Sequence, residues 1–260
     1  MGEERVRERQ PVGYGGASIA FIAVYGAING ALALVPIFPY VGGGGFLPLC
    51  VVFEAIGPII LGPIGGIIAA VIGGVIGMFI SPATYPLGPL DVLLTGILPA
   101  VYVALIINAD DVRYWILTLI AMIITSVYNI VFPYIWPGIA GEPWNITIFL
   151  AGLIFWLPWL ILEFLPVGKS WIPAWAREDD PKKRYLGVFL AVLMGLEMWF
   201  IPWSLVYWYL FSYSAALAVA TYIAYSWWVP TLAVITTIIA VAVVESLKRS
   251  GLPTIPRAIW

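Results

Sequence analysis

The sequence predicts an all-α fold, a polytopic integral membrane helix bundle with both termini cytoplasmic. Three observations carry this. Of the 260 residues, 62% are hydrophobic and 10% charged, with a mean hydropathy of +1.01, whereas a soluble domain carries about 25% charged residues. The apolar stretches reach the roughly 20 residues that a membrane-spanning helix needs. The cations are confined to four places along the chain: Arg5, Arg7 and Arg9; Arg113; Lys169, Arg177, Lys182, Lys183 and Arg184; and Lys248, Arg249 and Arg257. The net charge of -2 leaves no basic patch for nucleic acid. A single cysteine, Cys50, excludes an internal disulfide, and the absence of histidine removes the commonest metal ligand and acid-base group. The expectation is therefore a protein that is not an enzyme and has neither cofactor nor metal site.

The elements follow in order. Residues 1–16 (MGEERVRERQPVGYGG) form a charged cytoplasmic cap, lacking the cleavage pattern of a secretory signal. The first span, 17–37, ends in PYVGGGGF at 39–46, where proline and glycine cannot continue a helix. Residues 47–80 are apolar but interrupted at Gly57-Pro58 and Gly62-Pro63, and read either as one bent helix or as two spans turning near Gly62. Charge placement decides. Basic residues mark cytoplasmic loops, and only the two-span hairpin puts all four clusters on one side. Further spans are expected at 91–108, 114–132, 146–167, 186–208 and 220–247, eight in all. The organisation is thus a six-helix core at 17–167, a charged cytoplasmic linker at 168–185, two additional helices at 186–247 and a tail at 248–260. Residues 207–221 (YWYLFSYSAALAVAT) extend either of the last two helices or lie at the interface.

The outer loops of the core hold no cation and are rich in aromatics, proline and glycine: PYVGGGGF, SPATYPLGPLD at 81–91, and PYIWPGIAGEPWN at 133–145. Irregular backbone at membrane depth survives only where it packs on protein or lines water, so these loops are expected to lid a pocket. Its candidate ligand-binding residues are Tyr40, Phe46, Glu54, Tyr85, Tyr128, Asn129, Trp136, Trp144 and Asn145. A planar aromatic small molecule suits such rings. Glu54 sits deep, placed to accept a ligand hydrogen bond or to carry a proton. Glu197 is also deep. Glu163 and Glu245 are read as interfacial and Asp91 as a helix-terminal cap. In the first span Ala23, Ala27 and Ala31 recur every four residues, a spacing that lets helix backbones approach closely in lipid. A comparable ridge of Gly66, Ala70 and Gly74 in the third span reads as internal packing.

The alanine stripe, the glycine-rich first loop, the short second span, the Gly62-Pro63 turn and the glycine-rich third span together resemble the substrate-binding S-component of energy-coupling-factor (ECF) vitamin transporters, over residues 17–167. The resemblance implies uptake of a vitamin or similar small molecule in the cell (plasma) membrane, with ligand captured from outside by loops one, three and five. It also implies docking of Ala23, Ala27 and Ala31 on a transmembrane coupling subunit driven by ATPases. The two additional helices depart from that pattern. A different class of reading, a non-catalytic structural or anchoring subunit of a larger membrane complex, fits the same stripe and the thirteen tryptophans.

Overall fold

The computed structural model describes residues 13–135 and 146–260. A two-residue strand pair, β1 (Gly13–Tyr14) and β2 (Ala17–Ser18), leads into α1 (Ile19–Leu32). The Ser18 side chain caps this helix by accepting from the Phe21 N–H at 3.2 Å. At 14 residues α1 is shorter than the expected 17–37 span. Pro36 stops it, because the residue before a proline is pushed to extended conformation. The glycine-rich first loop is instead a β-hairpin, β3 (Pro36–Pro39) paired antiparallel with β4 (Phe46–Pro48). Gly43 and Gly44 make its turn at φ 79° and 89°, a region that side chains avoid.

Helix α2 (Cys50–Ile80) folds back on itself. Gly62, at φ 70° and ψ 170°, breaks it ahead of Pro63. A Cβ on Gly66 would lie 2.3 Å from the Pro58 nitrogen, a contact no straight helix permits between residues eight apart. Residues 50–61 and 63–80 are therefore two antiparallel arms. α1 lies against both, with Gly26 over Ile72 and Gly30 over Ile76, while the Tyr25 hydroxyl donates to the Phe53 carbonyl at 2.6 Å. There follow α3 (Pro89–Ile106), α4 (Val112–Ile135), α5 (Ile146–Phe155) and α6 (Leu157–Phe164), the last two bent by 43° to each other. The short α7 (Ile172–Arg177) and the long α8 (Pro181–Leu210) and α9 (Ala215–Arg249) complete the chain. Five described helices, or six if α5 and α6 count as one span, are long and apolar enough to cross a membrane. This is a multi-pass membrane protein. Eight full spans were expected; the difference lies in the short α1 and in the divided α2.

The last two helices are not an appendage. In the most apolar window of α8, 78% of the residues are buried, against 28% in α4, and Trp199, Phe200, Trp203 and Trp208 are among the largest fully buried side chains. Helix α3 accommodates them through a π-helical stretch, Val92–Ile97. Because the Leu98 N–H bonds to Leu93 rather than Leu94, the Leu94 carbonyl is freed to accept from the Trp199 indole.

The two ends of the bundle differ in chemistry. Every described Lys and Arg lies at one end. There Arg257 bonds Asp111 at 2.8 Å and Asp110 at 3.3 Å, Lys248 meets Asp179 at 3.2 Å, and Arg184 joins Asp179 to Glu245. Arg177 donates to the Ile107 carbonyl and the Asn108 side chain, both at 2.7 Å, closing the C-terminal end of α3 with a cation that the helix dipole favours. Burial pulls the Arg177 guanidinium below its ordinary pKa, and Asp110 opposes the shift. The opposite end carries the β3–β4 hairpin, residues 81–88 and the α8–α9 turn.

Two measurements check this architecture. Gly66→Ala pushes a methyl into the backbone of the facing arm and is expected to cost about 1–3 kcal/mol, read as a lowered thermal midpoint; an unchanged midpoint would contradict the fold-back. Cysteines replacing Lys182 and Ala83 are expected to react with an impermeant thiol reagent from opposite faces of the membrane, with the native Cys50 buried and silent. Reaction of both from the same face overturns the separation of the ends.

Candidate ligand site

The feature that gathers most functional chemistry is an aromatic nest at the hairpin end. From α8, Trp203 and Tyr207 stand one turn apart with ring centroids 4.7 Å from each other. Tyr225 of α9 approaches Trp203 at 5.6 Å. From the hairpin, Tyr40 sets its ring edge-on to both Trp203 and Tyr207, at 5.1 and 5.0 Å. Such tilted and edge-to-face pairs suit the ring quadrupoles, each worth about 0.5–1.5 kcal/mol beyond burial. All four rings are nearly inaccessible.

Below the rings lies Asp91, wholly buried in the first turn of α3. Its Oδ2 accepts from the Leu87 N–H at 2.6 Å, and its Oδ1 accepts from Thr95 at 3.3 Å and from the Tyr207 hydroxyl. Tyr40 in turn donates to Tyr207 at 3.4 Å, so a donor chain runs from the hairpin through two phenols to a carboxylate. The Trp203 indole donates to Thr95 at 3.2 Å and fixes the same corner. Burial drives the Tyr40 hydroxyl far above the ordinary phenol pKa, partly offset by its bond to Tyr207. It stays a protonated donor at any physiological pH.

The hairpin covers the nest. Gly42 N–H donates to the Tyr213 hydroxyl at 3.1 Å, and Phe46 N–H to the Ala83 carbonyl at 3.1 Å. The Tyr225 hydroxyl has no hydrogen-bond partner among the described residues. The cavity among Tyr40, Trp203, Tyr207, Tyr213 and Tyr225 is about 10 Å3, room for about one water and far below the roughly 300–1,000 Å3 of an ordinary small-molecule site.

The expected site residues separate into groups. Tyr40 joins the nest. Glu54 and Tyr85 meet elsewhere, with the Tyr85 hydroxyl 3.3 Å from Glu54 Oε1. Asn129 is buried and its amide is used internally, donating to Tyr222 at 2.8 Å and accepting from the Trp156 indole at 2.9 Å; Tyr128 is half-buried beside it. Phe46 is 42% exposed and meets the site through its backbone. Trp136, Trp144 and Asn145 lie outside the described residues. Ala23, Ala27 and Ala31 are exposed along α1, while Gly26 and Gly30 on its other face pack on α2. The interfacial reading of Glu163 is corrected. It is fully buried, with neither carboxyl oxygen bonded among the described residues, because the chain turns back over it at Gly168. Glu245 pairs with Arg184 rather than reaching outward alone. Glu197 is buried in mid-α8.

Sequence reading missed Trp203, Tyr207, Tyr213 and Tyr225. A signal existed: Trp199, Trp203, Tyr207 and Phe211 recur every four residues, an aromatic ridge along one face of a helix. No group of three or more Cys, Asp or Glu side chains capable of holding a metal occurs among the described residues. No protein family, curated protein or solved structure matches the chain, so the site is read from its geometry.

Tyr207→Phe removes the hydroxyl between Tyr40 and Asp91 and is expected to lower stability by about 1–3 kcal/mol, the cost of a buried carboxylate losing a donor. Asp91→Asn is expected to do the same. If the bond is as described, the double variant loses less than the sum of the two; strict additivity in thermal or denaturant unfolding contradicts it.

Proposed function

We propose that the protein is the ligand-capturing membrane subunit of a small-molecule uptake system in the cell membrane. Ligand enters at the hairpin end and is held by the aromatic nest above Asp91. The observation that carries this reading is the pairing of four packed rings with a donor chain ending on a buried carboxylate, all at the β3–β4 hairpin. Rings select a flat apolar body and the Tyr40–Tyr207–Asp91 chain orients a polar group, the usual division of labour in a small-molecule site. The present space admits no ligand, so one enters by lifting the β3–β4 hairpin, which carries Tyr40 with it and breaks its bonds to Tyr207, Tyr213 and Ala83. The exposed Ala23, Ala27 and Ala31 face supports docking on a coupling subunit of the ECF type, driven by ATPases. Vitamin uptake is the substrate class that this resemblance implies.

The small enclosed volume favours a second reading, a ligand-free anchoring subunit of a larger membrane complex. Purification distinguishes them. The uptake reading expects a stoichiometric small molecule in a denatured extract by mass spectrometry, lost from Trp203→Ala. Ala27→Trp is expected to abolish co-purification of other subunits while sparing the bound molecule. No small molecule from the wild-type protein, together with retained partners, sinks the uptake reading and supports the anchor.

A further inference from the structure

We infer that Glu54 and Asn29 form a buried proton-binding site, in which a protonated Glu54 donates from Oε2 to the Asn29 side-chain carbonyl and the Asn29 amide donates back to Oε1. Glu54, 1% exposed on the 50–61 arm of α2, accepts at Oε1 from Asn29 Nδ2 at 3.5 Å and from the Tyr85 hydroxyl at 3.3 Å. Among the described residues its Oε2 has no partner, and neither does Asn29 Oδ1. With the carboxyl ionised, both orphans are acceptors and the pair lacks a hydrogen.

No described neighbour bonds either orphan. From α1, the Tyr25 hydroxyl is committed to the Phe53 carbonyl at 2.6 Å. From residues 81–88, Tyr85 already serves Oε1; Cys50, on the same arm as Glu54, engages the Tyr85 hydroxyl at 3.5 Å and also lies within reach of the Glu54 carboxyl, yet its thiol leaves Oε2 unpartnered among the described residues. Asp91 of α3 is an acceptor, occupied by Leu87, Thr95 and Tyr207. Every described Lys and Arg is at the far end of the bundle. Turning the Asn29 amide over sets its oxygen against Oε1, so that orientation also leaves acceptor facing acceptor. Gly73 lets the amide lie flat here; a Cβ would sit 2.7 Å from Nδ2.

A single proton on Oε2 resolves both orphans and leaves the site neutral, the form favoured for a group buried in the bilayer. Its release places one negative charge between α1 and α2 and turns attraction into repulsion at Asn29 Oδ1. Proton exchange is thereby linked to the seating of α1 on the α2 hairpin, the same helix whose alanine face is exposed. This link holds whether or not the aromatic nest binds a ligand.

Infrared spectroscopy of the full chain in lipid nanodiscs at neutral pH tests it directly. The wild-type spectrum is expected to contain a protonated-carboxyl C=O band that Glu54→Gln removes, and Asn29→Ala is expected to shift that band to higher frequency by removing its acceptor. Glu54→Gln, whose amide N–H replaces the acid O–H, is expected to keep the wild-type thermal midpoint at neutral pH and to lose less of it on alkalinisation. A Glu54→Gln difference spectrum that removes carboxylate bands instead overturns the inference. So does a wild-type midpoint that falls when sodium is replaced by choline while the variant's does not, which assigns the two acceptors to a metal cation. Should Glu54→Gln not accumulate, Asn29→Ala decides alone: a shifted carboxyl band supports the proton site and an unshifted one overturns it.

Discussion

The fold-back at Gly62 is the constraint on which the rest of this bundle depends. Two arms in contact through Gly57 and Gly66 place their ends level, so the chain leaves α2 at the hairpin end rather than the basic one. The break has a cost that the structure meets visibly. Ending a helix at residue 61 leaves its last carbonyls without intrahelical donors, and in a bilayer no water replaces them. The C-terminal tail does so: the Ile259 N–H donates to the Ile59 carbonyl at 3.0 Å, and the Trp260 indole to the Ile60 carbonyl at 2.7 Å. The final residues are thus a cap for a helix two hundred positions earlier.

With the arms fixed, the two ends acquire separate chemistry. At the basic end, cations are taken up by nearby carboxylates and by exposed helix carbonyls, as Arg177 is by Ile107 and Arg257 by Asp110 and Asp111. At the other end the donors are phenols, indoles and backbone amides, none of which carries charge, and they converge on Asp91 and Thr95. The apolar interior makes each unmatched polar atom costly. That cost explains why Leu94 is released by a π-helical stretch to meet Trp199, and why an orphan such as Glu54 Oε2 is informative.

The aromatic nest belongs to this logic. Trp203 and Tyr207 cannot leave their polar tips unbonded at depth, and Thr95 and Asp91 provide the acceptors. The corner is closed by a glycine-turned hairpin that is itself packed in, Phe38 stacking on Trp228 at 4.8 Å and meeting Tyr225 edge-on at 5.2 Å, so opening it separates these rings as well as the hydrogen bonds.

Much was legible in the residues alone. Composition and stretch length determined a helical membrane protein. Gly62-Pro63 with the four cationic clusters determined that 47–80 doubles back, whereas the helix starts capped by the Ser18, Asp180 and Ser214 side chains came only with the structure. Which helix lies at the centre was not legible. In lipid, faces toward acyl chains and faces toward protein are both apolar, so α8 and α4 read alike although one is enclosed and the other borders the bilayer. Nor did the sequence reveal that Glu163 is enclosed, or that Tyr40 meets residues more than 160 positions away. Those facts are set by which backbones approach closely in three dimensions, and only the folded chain decides that.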